Sequence, residues 1–163
     1  MSEGKCPHRK QFRLREYDNR TPGAYHVIIC AERKNCIFGQ VVDGRMECSD
    51  LGRLVESRIA QIPTHYPEAQ VCASVVMPNH VHMLIGLAMG EITSCGVQAA
   101  PHALGQIIGG FKASVSRAWG RRIWQSRYYE HIIRGEQDFI ETVQYIENNP
   151  AAWDKDDYYW LAR

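Results

Sequence analysis

Apolar positions along this chain fall into two periods. A β-branched and apolar run over 25–31 predicts a strand, and Asp43-Gly44 between apolar residues predicts a hairpin turn. Helical spacing follows over 50–62, with Ser49 or Asp50 as its cap. Residues 71–77 read as a buried strand, and Met77-Pro78-Asn79 carries turn chemistry. Beyond the turn, Val81, Met83 and Ile85 alternate with His80, His82 and Leu84. Residues 90–102 are rich in small and turn-forming residues and predict a surface loop. A helix over 104–119, a short strand over 131–134 and a helix over 137–148 complete the chain. In the last helix Phe139, Ile140, Val143 and Ile146 form the apolar stripe, and Pro150 stops it. Strands interleaved with helices around an antiparallel sheet give an α+β domain.

The alternation at 80–85 has a chemical consequence. Alternate strand residues share a face, so His80 and His82 project together, away from the core side taken by Val81, Met83 and Ile85. Their Cα atoms are about 7 Å apart at strand rise, close enough for both rings to reach one ion. A His-x-His triplet arises easily by chance among seven histidines, so the triplet alone is weak. Its place on a buried strand strengthens it, because two buried imidazoles need partners.

The last helix offers a second motif. At about 100° per residue, Tyr145 falls roughly 140° from the centre of the predicted apolar stripe, with Asn149 one turn further on. Two readings are open: a solvent-exposed tyrosine, or a phenol presented to a site across a cleft with Asn149 reaching the same place.

These motifs carry a resemblance. The chain resembles the HUH tyrosine transposases, and most closely the REP-associated tyrosine transposases. The likeness runs through Arg13-Leu14 and Tyr17-Asp18, Gly23-Ala24-Tyr25-His26-Val27, Cys36-Ile37-Phe38-Gly39 and Val42-Asp43-Gly44-Arg45-Met46. It continues through Met77-Pro78-Asn79-His80-Val81-His82, Ile107-Ile108-Gly109-Gly110-Phe111-Lys112, 124–134 and Tyr145-Ile146-Glu147-Asn148-Asn149-Pro150. Several motifs in the right order are more specific than any one. The resemblance implies a single domain over 1–163 with a ferredoxin-like antiparallel sheet and the histidines on a central strand. It implies a basic N-terminal arm over 1–22 and a C-terminal tail over 150–163. It further implies Mg²⁺ or Mn²⁺ on His80, His82 and Asn149, and Tyr145 as a nucleophile toward DNA. The expected activity is nicking and joining of single-stranded or hairpin DNA through a 5′-phosphotyrosyl bond, by a monomer or homodimer.

Composition adds constraints. The net charge of +1 does not advertise nucleic-acid binding, but the basic residues cluster. Arg9, Lys10, Arg13, Arg15 and Arg20 lie in the first segment, and Lys112, Arg117, Arg121, Arg122 and Arg127 lie later. Arg9, Arg13, Arg15, Lys112, Arg117, Arg127 and Arg134 are the candidate DNA contacts. Asp154, Asp156 and Asp157 make the tail acidic, which argues against phosphate near Tyr158 or Tyr159. No apolar run is long enough to cross a membrane, and the first residues are unlike a signal peptide. Cys6, Cys30, Cys36, Cys48, Cys72 and Cys95 show no Cys-x-x-Cys pairing. Cys30 and Cys72, on predicted strands, are expected to be free buried thiols in a cytoplasmic protein.

Three rival functions remain at this level. A domesticated DNA-binding protein would keep the fold without cutting. An RNA-binding sheet would need an aromatic ribonucleoprotein motif, which is absent from this sequence. A two-histidine phosphoesterase would need a second histidine motif followed by Ser or Thr, and none of the other histidines supplies one.

Overall fold

A computed structural model describes residues 22–88 and 102–159. Its main sheet has four strands: β1 (Gly23–Cys30), β4 (Ala69–Val76), β5 (His80–Leu87) and β6 (Tyr129–Ile132). Their spatial order is β4-β5-β1-β6, and every neighbouring pair is antiparallel. Between β1 and β4 come a hairpin, β2 (Gly39–Val42) and β3 (Arg45–Cys48), and two helices, α1 (Asp50–Ala60) and α2 (Ile62–His65). Helix α3 (Leu104–Trp119) joins β5 to β6, and α4 (Glu136–Asn148) follows β6. Without the hairpin, α2 and α4, the chain order is strand–helix–strand–strand–helix–strand. That order, with the first and third strands central, is the ferredoxin-like arrangement expected.

The two faces of the sheet are chemically different because β1 and β5 alternate strictly. Tyr25, Val27, Ile29, Val81, Met83 and Ile85 are fully buried and join one core with Val55, Ile59, Ile107, Ile108, Phe111 and Val115 from α1 and α3. The opposite face carries His26, Ile28, Cys30, His80, His82 and Leu84, and α4 lies across it. Residues of both periods are therefore buried on β5, which explains its unbroken apolar and histidine content.

Local chemistry sets the element ends. Ser49 caps α1: its Oγ accepts from the Gly52 N–H at 3.1 Å and donates to the Ile37 carbonyl at 2.9 Å. Gly52 is required there, since a Cβ would meet the Phe38 carbonyl oxygen at 2.1 Å. Asp43 and Gly44, with φ of 50° and 71°, form the left-handed turn of the β2–β3 hairpin.

Several expectations need correction. The helix expected over 50–62 ends at Ala60, and α2 starts again at Ile62 with Pro63 in its first turn. Strand β6 lies two residues earlier than expected, because its register is fixed by pairing with β1 from Tyr25↔Ile132 to Ile28↔Tyr129. Cys72 is exposed rather than buried: it sits at the register shift between Val71 and Ala73 on edge strand β4. Cys30 is buried as expected and is not in a disulfide, and Cys6 and Cys95 lie outside the described residues. The loop expected over 90–102 also falls almost wholly outside them.

Candidate active site on the histidine face

Helix α4 sets the geometry of the site, and it is rotated from the expected pose. Its buried residues are Thr142 and Ile146, followed by Asn149 at its C-terminal end, while Ile140 is 42% exposed. Thr142, Ile146 and Asn149 share one helical face, so the buried arc centres on them and not on Phe139 and Ile140. Tyr145 then lies about 70° from the centre of that arc, at its border. It is 51% exposed, and its ring is edge-on to His82 with centroids 5.4 Å apart. The phenol is thus neither core nor free in solvent. A cleft of about 560 Å³ opens beside it, lined by His26, Ile28, Tyr129, His131, Asp138 and Tyr158 among others.

The two predicted histidines converge as strand alternation requires. Both are fully buried, and their Nε2 atoms are 2.8 Å apart. The tautomer of His80 follows from its neighbours. The Asn79 Nδ2 donates to the Tyr158 carbonyl at 3.1 Å, which turns its Oδ1 toward His80. His80 Nδ1–H donates to that oxygen at 2.7 Å, leaving Nε2 with a free lone pair. Burial, with Lys34 nearby, pushes the His80 pKa down to about 3, and burial beside His80 and His26 holds His82 well below its ordinary value. Both rings are therefore neutral and able to act as ligands.

A third donor comes from the tail. Asp156 is buried, and one of its carboxylate oxygens lies 3.7 Å from His80 Nε2. His80, His82 and Asp156 each offer a ligand atom, and these atoms all lie within 4.8 Å of one another. Asp156 Oδ1 accepts from the Tyr158 N–H at 2.7 Å, while Oδ2 is buried with no hydrogen-bond partner among the described residues. Asn149 Oδ1 is also buried without one. Orphaned acceptors beside two neutral imidazoles are the donor set of a divalent cation site, so the residues fit the ion that the resemblance implies. The Asn149 amide lies against both the Tyr145 phenol and the Asp156 carboxylate.

Asp156 was not expected as a ligand. The acidic tail, expected to repel phosphate, follows the 3-10 turn over Pro150–Lys155 and puts Asp156 beside His80 of β5. The sequence signal is Pro150, which ends α-helical hydrogen bonding six residues before the acid. The same turn brings Tyr158 to a ring-centroid distance of 4.5 Å from His80, so proximity alone does not single out Tyr145. Two facts separate them. Tyr158 is less exposed, and burial and the Cys30 thiol push its pKa far up. Tyr145 is raised more modestly, by burial and then by Asp156.

The basic candidates are spread more widely. Arg127 and Arg134 are exposed at the two ends of β6, the strand that edges the cleft. Arg117 is exposed on α3, behind the sheet. Lys112 directs its ammonium to the Gln125 and Ser126 carbonyls at 2.6 and 3.2 Å, which favours a structural role over phosphate contact. Arg9, Arg13 and Arg15 lie outside the described residues.

Comparison with known proteins places the chain in a family. The model of the family "Transposase IS200 like" matches residues 20–149. A Haemophilus influenzae protein named only as uncharacterized is 33% identical over 169 residues, spanning 93% of each chain. A second protein of that organism, provisionally named a REP-associated tyrosine transposase, is 27% identical over 104 residues, or 58% of this chain and 56% of that one. A solved REP-associated tyrosine transposase bound to a REP hairpin shares the fold, with a TM-score of 0.61 at 21% identity over 81% of this chain and 68% of that one. Asp156 lies beyond the stretch that the family model matches, whereas both histidines, Tyr145 and Asn149 lie within it. The chain belongs to the IS200-like transposase family.

Proposed function

We propose that this protein is a metal-dependent endonuclease and strand transferase for single-stranded DNA, acting beside hairpins. The observation that carries the reading is the contact of a half-exposed phenol, Tyr145, with a buried His80–His82–Asp156 donor set. The hairpin substrate is suggested by the solved relative of the same fold, which is bound to one.

His80, His82 and Asp156 would hold Mg²⁺ or Mn²⁺, with Asn149 as a further oxygen donor. When bound, the ion would polarise the scissile phosphate and offset the Asp156 charge that raises the Tyr145 pKa. Tyr145 Oη attacks phosphorus in line, an O–P bond to tyrosine forms, and the bond from phosphorus to O3′ breaks. The phenolic proton is lost and O3′ gains one, so the products are a 5′-phosphotyrosyl end and a free 3′-hydroxyl. The phosphodiester energy is kept in the new bond, and attack by another 3′-hydroxyl reverses the step and joins strands. Asn149 positions the phenol from one helical turn away. Arg127 and Arg134, exposed beside the cleft, are proposed to contact the phosphate backbone. Arg9, Arg13 and Arg15 are proposed as further backbone contacts, with the protein acting as a monomer or homodimer in the cytoplasm.

The test is incubation of end-labelled hairpin oligonucleotides carrying single-stranded flanks with protein and Mn²⁺, resolved on a denaturing gel. Cleavage that needs the metal and disappears in His80→Ala supports the reading. A protein that binds the hairpin but cuts no strand with either metal is the domesticated binder.

A further inference from the structure

His26 stands beside the donor set without belonging to it. It is 8% exposed, on central strand β1, and its Nε2 lies 3.0 Å from His82 Nδ1. The ring planes are 20° from parallel and the centroids are 5.2 Å apart, about the separation that a straight hydrogen bond between the two facing nitrogens gives. The His80–His82 pair differs. Its nitrogens are 2.8 Å apart, yet its centroids are only 4.7 Å apart and its planes stand at 76°. Those two rings are bent toward a common point instead of aimed at each other.

Neutral imidazole carries one proton, so the hydrogen bond on one nitrogen decides what the other can do. His82 has two states. With the proton on Nδ1 it donates to His26 Nε2, and its own Nε2 is bare beside the bare Nε2 of His80. With the proton on Nε2, that hydrogen occupies the space between the two rings and blocks a shared ion. Only the first state is a ligand pair, and it requires an acceptor at His26.

Resting on the metal site proposed above, we infer that His26 is a positioning residue that accepts the His82 Nδ1 proton and so turns a lone pair of His82 toward the ion. It does for His82 what Asn79 does for His80. Partners of this kind fix ring orientation and ligand basicity, and their loss costs about 10–100-fold in metal affinity. The position also explains why a histidine sits in a strand whose other residues on both faces are mainly apolar.

The experiment compares the full chain with its His26→Leu and His26→Gln variants by calorimetric Mn²⁺ titration. Nitrogen-15 imidazole spectra of the Mg²⁺-loaded wild type accompany it. Leucine fills similar space without an acceptor, whereas glutamine keeps a carbonyl oxygen. The expected result is Mn²⁺ affinity lower by about 10–100-fold in His26→Leu and largely restored in His26→Gln, with the His82 proton on Nδ1 in the spectra. Equal affinity in the wild type and His26→Leu overturns the role of His26 while leaving the metal site intact. A His82 proton on Nε2 in the loaded wild type overturns it even if the leucine variant does not fold. A wild type that binds no Mn²⁺ overturns the metal site, and the inference with it.

Discussion

Tyr145 on α4 stands edge-on to His82 on β5, with ring centroids 5.4 Å apart and planes at 82°. The candidate nucleophile and the candidate ligand are therefore in contact before any substrate arrives. Because Tyr145 is half exposed, Tyr145→Phe removes an oxygen and little packing. Unfolding stability should change by less than about 0.5 kcal/mol, and hairpin binding should persist. The covalent adduct should vanish from a denaturing protein gel. An unfolded or non-binding Phe variant would show that the phenol has a structural role.

Asp156 has an orphaned carboxylate oxygen near His80 Nε2, so the tail should be part of the metal site. Mn²⁺ at one hundred times its Kd should stabilise the wild type by about 2.7 kcal/mol, seen as a rise in melting temperature. Asp156→Asn should lose most of that rise at the same Mn²⁺ concentration. An unchanged rise would remove Asp156 from the ligands and leave Asn149 as the better candidate.

The buried histidines make stability depend on pH in the absence of metal. The folded pKa values of His26 and His80 are lowered to about 4 and about 3, from an ordinary 6.5. Below pH 6.5 the unfolded chain takes up protons that the folded chain does not, so unfolding becomes easier as pH falls. The contribution is fully present above pH 6.5 and is lost progressively down to the folded values, by at most about 1.4 kcal/mol per pH unit for each histidine. Melting temperatures in EDTA between pH 7 and 4 check this. A flat profile would mean that the imidazoles are charged or solvated in the folded protein.

The N-terminal arginines carry a prediction from sequence alone. Replacing Arg9, Arg13 and Arg15 by alanine should weaken hairpin binding and reduce the slope of log affinity against log salt by up to about three. A slope equal to that of the wild type would leave these residues without a phosphate role.

Much of this architecture was legible where the hydrophobic period was strong. The alternation of Val81, Met83 and Ile85 with His80 and His82 placed both imidazoles on one face, and the structure has them there. The same reasoning failed on α4. Phe139 and Ile140 read as core because apolar residues at helical spacing normally are, but the helix covers a cleft and buries Thr142, Ile146 and Asn149 instead. The apolar stripe of a short helix does not fix its rotation when one flank is open. Asp156 was illegible for a different reason. A carboxylate six residues past a helix-stopping proline reaches the site only because the 3-10 turn reverses the chain, and no local period encodes that reversal. His26 was hidden by its setting, since a single histidine in an apolar strand carries no motif until its cross-strand neighbours are known.

The decisive observation is which atom becomes linked to DNA. A labelled single strand with a hairpin, incubated with the full chain and Mn²⁺, can be trapped as an adduct and the attached nucleotide mapped by peptide mass spectrometry. The expected result is the nucleotide on the peptide containing Tyr145, joined through its 5′ phosphate, and no adduct in Tyr145→Phe. A nucleotide on Tyr158, the phenol beside His80, would contradict the assignment of Tyr145.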